Sequence, residues 1–283
     1  MNRPFTERQQ KILELLTRFK YLTVSQMLAL NIAKHASNLR LSLSVFVDAG
    51  YIDKLTFATD PRVGKLEYFY CLTKKGVDIL SEVYEPIYPS CAIKYPKSSN
   101  NHFSRDYNHR KITIDFHVAF FQWTLKNHID VAFVDYYFDT VGANSGHERK
   151  SAPLISKNQL FIQDTYRAPD IIAKINGADR DYLFMVEMHC GYDTGRLYKQ
   201  ILWHAALSSA GKAQEKYNYK RGIKIYIVLE HTSMVENIAK RMQQSPELAE
   251  YKPFFLFKSL DSLKEDFFSG WMYYDGQIDN FIS

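Results

Sequence analysis

The chain lacks several features that would assign it to a protein class directly. Its 283 residues contain three widely spaced cysteines (Cys71, Cys91 and Cys190), which give neither a disulfide framework nor a zinc-binding spacing. No apolar run approaches the roughly 18–20 residues of a membrane span. The polar start MNRPFTERQQ lacks the apolar core of a signal peptide. Internal repeats and low-complexity tracts are also missing. These absences predict a cytoplasmic protein without a membrane partner.

The composition predicts a folded chain of two domains. Hydrophobic residues make up 46% and aromatic residues 15%, enough for a sizeable core. Three prolines and a Ser-Ser-Asn-Asn run break all periodicity between residues 82 and 104, which predicts a linker. We therefore expect one domain at 1–81 and a second at 105–283. The net charge of +5 slightly favours a polyanionic partner.

The first domain reads as three helices followed by two strands and a fourth helix. Thr6 and Thr23 are suitable N-caps for two stretches with helical apolar spacing. A third such stretch begins at Ser37 and ends before Gly50. The predicted strands are 51–55 and 66–72, and the predicted fourth helix is 73–81.

In this order the sequence resembles the winged helix-turn-helix family. The resemblance lies at Leu39–Ile52, where the third helix ends in Ala-Gly-Tyr-Ile, and at Tyr70–Gly76. It implies that the third helix enters the major groove of DNA and that cations of the strand hairpin approach phosphates. A winged helix used only for protein contact is the alternative. The implied DNA-binding residues are Lys34, His35, Ser37, Asn38, Arg40 and Ser44 on the helix and Arg62 and Lys65 on the hairpin.

The most informative stretch is Arg167–Lys199, which reads as strand, turn, strand, loop and helix. A turn centred after Ala178 places Asp170 directly opposite Glu187, with Cβ atoms about 4.5–5.5 Å apart. Two carboxylates at this spacing repel each other unless a cation or a proton lies between them, and a hard divalent cation suits oxygen ligands. His189 shares the face of Glu187 because side chains alternate along a strand. The alternative is an ordinary solvated pair of strand-end carboxylates.

The remaining pattern of the second domain predicts an α/β fold, a mixed sheet with helices on both faces. This order matches the core of the PD-(D/E)XK nucleases. The predicted elements around the hairpin are helices at 105–126, 196–209 and 233–242 and strands at 129–138, 223–229 and 254–257.

Four short motifs follow the winged helix along the second domain. They are His109-Arg110-Lys111, Arg167-Ala168-Pro169-Asp170, Phe184-Met185-Val186-Glu187-Met188-His189 and Leu197-Tyr198-Lys199. In this order they resemble the replication-relaxation family, which includes plasmid mobilisation proteins and the MOBC-type relaxases. The resemblance implies a restriction-endonuclease-like domain that nicks or relaxes double-stranded plasmid DNA at an origin during conjugation. Other relaxosome proteins are implied as further partners.

The resemblance also implies roles for single residues. Asp170 matches the aspartate of the PD motif and Glu187 the acidic residue of the (D/E)XK motif, so both are expected to bind Mg²⁺ or Mn²⁺. The backbone carbonyl of Met188 is a further expected ligand. His189 stands where the motif has lysine, and Lys199 is expected to supply the missing cation. The predicted catalytic residues are Asp170, Glu187, His189 and Lys199.

Three alternatives stay open. A covalent route would use a tyrosine nucleophile, for which Tyr192 and Tyr198 lie nearest in sequence; the closely spaced histidines of HUH relaxases are absent. Because the motif lysine is missing, the chain is alternatively a non-catalytic relaxosome accessory or replication-initiation protein with a degenerate nuclease core. A transcriptional regulator with a ligand-sensing second domain is a third, less favoured reading.

Overall fold

The computed structural model describes residues 5–61, 64–83, 93–96, 106–141, 155–162, 164–177 and 179–282. The chain forms two compact units, Met1–Val118 and Ala119–Ser283, and the division falls within a helix. Most of the predicted linker at 82–104 lies outside the described residues, so the boundaries of the two predicted domains stay predictions. The mixed α/β class predicted from the sequence is confirmed.

The first unit contains the predicted helices and hairpin together with one short strand that the sequence did not indicate. The extra strand, β1, pairs with β3, so that the hairpin becomes a three-stranded sheet of order β1-β3-β2. The elements are α1 (Glu7–Phe19), β1 (Leu22–Thr23), α2 (Val24–Ala29), α3 (Ala36–Asp48), β2 (Ile52–Leu55), β3 (Phe69–Leu72) and α4 (Lys74–Val83), before the long helix α5 (Tyr107–Lys126).

Local chemistry explains where the first helices begin. Thr6 and Thr23 both form capping boxes, in which the threonine side chain accepts from the third helical amide and a glutamine side chain accepts from the cap amide. Each box satisfies two backbone donors that a helix start leaves open. On α3, the buried residues Leu39, Leu43 and Phe46 recur at helical spacing, so the polar side of this helix faces outward.

The second unit is built on a seven-stranded sheet of order β14-β13-β12-β11-β10-β9-β4. The hairpin β9–β10 is antiparallel, whereas β10, β11 and β12 run parallel. After the end of α5, the elements are β4 (Asp130–Tyr136), β5 (Thr140–Val141), β6 (Ile155–Ser156), β7 (Leu160–Ile162), β8 (Thr165–Arg167), β9 (Ile171–Asn176), β10 (Asp181–His189), α6 (Thr194–Ser209), α7 (Lys212–Tyr217), β11 (Lys224–Leu229), α8 (Thr232–Gln243), β12 (Phe255–Ser259), α9 (Leu260–Glu265), β13 (Trp271–Met272) and β14 (Ile278–Asp279).

The hairpin β9–β10 has the register that the sequence predicts. Val186 is paired with Ile171 and Met185 with Ile172, as a turn centred after Ala178 requires. Gly177 is essential for this turn, because a Cβ atom there would lie 2.3 Å from the carbonyl oxygen of Arg180. The close approach allows the amide of Gly177 to donate to that oxygen at 3.0 Å.

Helices and aromatic side chains cover both faces of this sheet. One face packs its aliphatic residues, such as Met185 and Ile227, against Leu197 and Ile201 of α6. The other face is aromatic: Phe184 lies in edge contact with Phe120 of α5 and with Phe281. Phe281 of the C-terminal segment therefore packs onto the core. Within the described residues, no helix combines the length and the apolarity needed to cross a membrane.

A buried histidine in the first unit predicts that acid destabilises the fold. Burial lowers the pKa of His117 well below its ordinary value, and the charges of Lys94 and Arg18 lower it further. The unfolded chain therefore takes up a proton near pH 6.5 that the folded chain does not, and stability falls as pH falls below that value. We expect a loss approaching about 1.4 kcal/mol per pH unit, measured as thermal unfolding between about pH 7.5 and 5.

The pH dependence is assigned by two variants. His117→Leu removes the titrating group and should flatten the profile below about pH 6.5. His128→Asn serves as the control, since His128 is exposed and has a positive φ of 54°, which asparagine tolerates. An equal flattening in both variants would contradict the assignment to His117.

Candidate active site

The register of the hairpin brings Asp170 and Glu187 together. One further step from the Ile171–Val186 pair places Asp170 opposite Glu187, on the face that also carries Met185. Both carboxyl groups are buried, with only 5% and 7% of the residue surface exposed. The reading of a solvated strand-end pair is therefore wrong.

Asp170 is held by the backbone around it. Its Oδ2 accepts from the amide of Met188 at 2.6 Å. Within a strand, the N–H and C=O of one residue point toward the same neighbouring strand, so the carbonyl of Met188 also faces the Asp170 side. The Nδ2 of buried Asn158 donates to the carbonyl oxygen of Pro169 at 2.6 Å and so fixes the preceding residue.

Glu187 is held by two side chains of α6, one helical turn apart. Gln200 Nε2 donates to Oε1 at 2.5 Å, and His204 Nε2 lies 3.1 Å from Oε2. A carboxylate only accepts, so His204 carries a proton on Nε2. Its Nδ1 is buried and has no hydrogen-bond partner among the described residues.

His189 is joined to the same group through Gln200. Its Nδ1 lies 3.2 Å from Gln200 Oε1, which is an acceptor because the Gln200 amide nitrogen faces Glu187. The ring proton therefore sits on Nδ1, and Nε2 presents a lone pair that meets no hydrogen-bond partner within the described residues. The hydrogen bonds therefore run in one direction: His189 donates to Gln200, and Gln200 donates to Glu187.

The charge state of His189 agrees with this tautomer. Burial lowers the pKa of His189, and the charge of Arg196 lowers it further. The hydrogen bond to Gln200 and the nearby Asp193 act in the opposite direction and are smaller than the effect of burial. The His189 ring is therefore neutral near pH 7, and its Nε2 atom is a base.

The donor set around Asp170 and Glu187 fits a magnesium-type ion. No group of three or more His, Cys, Asp or Glu side chains in the described part of the chain is arranged to hold a metal. This does not conflict with Mg²⁺, which is usually bound through one or two carboxylates while water and substrate oxygens complete the shell. Two opposed carboxylates and a backbone carbonyl match that preference.

The remaining predicted site residues lie apart from this group. Lys199 is exposed, and its neighbour Gln200 takes the position against Glu187. The hydroxyl of Tyr198 is bonded to Ser245 at 2.7 Å and to Glu247. Burial and Glu247 raise the pKa of Tyr198, which disfavours the phenolate that a nucleophile requires. Tyr192 is exposed and stacks on His231.

The DNA-binding residues predicted on α3 form an exposed surface. Lys34, Ser37, Asn38 and Arg40 are all exposed, as are His35 and Ser44. No acidic residue occurs on the helix before Asp48, and Leu41 and Val45 add exposed apolar groups. Lys65 is exposed beside the Tyr68 ring at 5.5 Å. Arg62 lies outside the described residues.

Three residues of the site were missed by the sequence analysis: Gln200, His204 and Asn158. The first two are four positions apart on a helix, which is the spacing of residues that share a face. A glutamine and a histidine on the apolar side of α6 were therefore a usable signal. Asn158 had none, since its segment is weakly patterned and its partners lie 11 and 23 positions away.

Comparison with known proteins does not place the chain in a family. No family model, no curated protein and no solved structure matches it. The resemblances described from the sequence therefore remain expectations.

Nuclear magnetic resonance of the His189 ring tests the hydrogen-bonded group. We expect a pKa below the ordinary 6.5, because burial disfavours the imidazolium. Gln200→Met keeps the side-chain volume but removes the oxygen that accepts from Nδ1, and it should lower this pKa further. The resonance that is missing from the spectrum of His189→Gln is the one that belongs to the His189 ring. A His189 pKa at or above 6.5 would contradict the described geometry.

Proposed function

We propose that the protein is a metal-dependent DNA endonuclease that nicks or relaxes plasmid origin DNA. Its first unit binds double-stranded DNA through α3 and the β2–β3 hairpin, in the manner of a winged helix. Its second unit cleaves a phosphodiester bond at Asp170 and Glu187. A cytoplasmic location, as predicted from the sequence composition, and relaxosome partners, as implied by the resemblance, belong to the same proposal.

One observation carries the proposal: two buried carboxylates are opposed across a hairpin and held in place by separate groups. Burying two like charges side by side is unfavourable without a compensating cation or proton. Glu187 is fixed by Gln200 and His204, and Asp170 by the Met188 amide. Such an arrangement costs stability in the absence of a ligand, and divalent cation binding would offset that cost.

Each residue of the site has a definite task under this proposal. Asp170, Glu187 and the carbonyl of Met188 would hold Mg²⁺ or Mn²⁺, which supplies Lewis acidity toward a phosphate oxygen and a bound water. His189 accepts a proton from the attacking water at Nε2, because that atom carries the lone pair. Gln200 keeps the Nε2 atom of His189 in this state by accepting from Nδ1. His204 holds the Glu187 carboxylate in its orientation through Nε2.

The charge of α3 supports DNA as the partner of the first unit. Arg40 is exposed on the helix and Lys34 is exposed two residues before its start, and the helix has no carboxylate before Asp48. Arginine reads guanine and asparagine reads adenine in the major groove, and Asn38 and Arg40 are both exposed on this helix. Lys65 is available for a phosphate contact.

A second candidate function is favoured by one observation at the same site. A neutral His189 replaces the motif lysine, and the only lysine expected to compensate, Lys199, is exposed and does not face Glu187. A protein without that positive charge would bind origin DNA as an accessory or replication-initiation factor. Nicking activity separates the two candidates.

Nicking of supercoiled origin plasmid in Mg²⁺ or Mn²⁺ tests the proposed endonuclease. Asp170→Ala and Glu187→Ala should each lower the rate by at least about 100-fold, since each removes a cation ligand. Asp130→Asn is the control, because Asp130 lies on the neighbouring strand β4 and pairs with Asn176 at the far end of β9 from Asp170. Nicking that survives both alanine variants would overturn the assigned site. Absence of nicking in the wild-type protein would favour the accessory function.

Base reading by α3 is tested through Arg40. Arg40→Ala should weaken binding to the cognate duplex by about 1–3 kcal/mol and relax specificity at one base pair. Lys11→Ala, which removes one positive charge from the exposed side of α1, is the control for net charge. Equal losses in the two variants, on cognate and random duplexes alike, would show that Arg40 contributes only charge.

A further inference from the structure

Two aromatic rings are stacked at the surface of the second unit. The centroids of Tyr192 and His231 lie 4.0 Å apart, and their planes differ by only 4°. Tyr192 is 67% exposed, so the ring face turned away from His231 is open to solvent. The imidazole covers one face of the phenol ring and leaves the other for a planar ligand.

The stack is held by hydrogen bonds of the two loops that carry it. Glu230 accepts from the Gly191 amide at 2.8 Å through its Oε2, and its own amide donates to the His189 carbonyl at 3.0 Å. The amide of Thr194 donates to the Tyr192 carbonyl at 3.0 Å. The platform is therefore preformed, which lowers the entropy that a ligand must offset on binding.

The stack also lies at the functional edge of the sheet. Tyr192 follows the end of β10, three residues after His189, and His231 follows the end of the adjacent parallel strand β11. Ligands of α/β sheets bind outside the carboxyl ends of such strands. Arg196 and Lys199 are both exposed on the first turns of α6, which starts two residues after Tyr192.

We propose that Tyr192 and His231 form a stacking platform for an unpaired nucleobase of the strand bound at Asp170 and Glu187. This inference rests on the proposed endonuclease function and adds to it a subsite for single-stranded DNA. An exposed aromatic face beside cationic side chains is how proteins hold single strands without reading their sequence. The open ring face of Tyr192, rather than its hydroxyl, is then the useful part of the side chain.

The test measures binding of single strands by the full-length protein in EDTA, so that cleavage plays no part. The ligand is an oligothymidine of about 12 nucleotides, and the comparison ligand is an abasic strand of the same length and charge. We expect Tyr192→Ala to weaken binding of oligothymidine by about 5- to 150-fold, the equivalent of 1–3 kcal/mol for one stacked base. Binding of the abasic strand should not change.

Further variants distinguish stacking from other roles of Tyr192. Tyr192→Phe keeps the ring and should bind oligothymidine as the wild type does. If Tyr192 were instead a nucleophile, this variant would lose activity, because it lacks the hydroxyl. Tyr192→Trp should give a fluorophore that oligothymidine quenches and the abasic strand does not. Tyr166→Ala is the matched control, because Tyr166 is 65% exposed and pairs with another ring, Phe161.

The outcomes separate the platform from the endonuclease. Loss of oligothymidine binding in Tyr192→Ala but not in Tyr166→Ala supports the platform, whether or not the protein nicks plasmid. Unchanged binding in Tyr192→Ala overturns the platform, even if Asp170→Ala abolishes nicking. Equal binding of the abasic strand and oligothymidine by the wild type also overturns it.

Discussion

The register of the β9–β10 hairpin is the constraint on which the candidate site depends. Side chains alternate along a strand, so a slip of one residue would move Glu187 and His189 to the opposite face of the sheet. Two features prevent that slip. Gly177 permits the close approach that closes the turn, and the buried Ile172–Met185 pair penalises any other register. The same interactions that fold the hairpin therefore also oppose its carboxylates.

The helix α6 is the second element that the site requires. Leu197 and Ile201 bury its apolar side against the sheet, and this packing fixes the rotation of the helix. Gln200 and His204 then have to face Glu187, while Lys199, one residue earlier, points to solvent. If α6 packed with its rotation shifted by one residue, Lys199 rather than Gln200 would face Glu187. The buried aliphatic contacts thus decide which polar side chains reach the site.

Sequence reasoning succeeds here where the controlling interactions are local. The turn around Gly177, the capping boxes at Thr6 and Thr23 and the helical spacing on α3 all involve residues a few positions apart. They were enough for most of the helices, the central strands and the opposition of Asp170 and Glu187.

What the sequence did not indicate depends on packing between distant segments. Asn158 reaches Pro169 from another loop, and the pairing of β1 with β3 joins residues almost 50 positions apart. The expected motif favours a lysine, and therefore Lys199, over Gln200. The two residues are distinguished only by the rotation of α6 about its axis, which its packing against the sheet fixes.

His189 has a consequence for chemistry that a lysine at the same position would not have. A lysine contributes a fixed positive charge to the transition state, whereas an imidazole with a lowered pKa contributes a lone pair. Charge that develops on phosphate would then need compensation from elsewhere, and under the proposed mechanism the cation at Asp170 and Glu187 is the available source. The rate should accordingly depend more steeply on the affinity for that cation than in a site with lysine. Under the proposed mechanism, a histidine in place of lysine at this position would therefore leave more of the charge stabilisation to the ion.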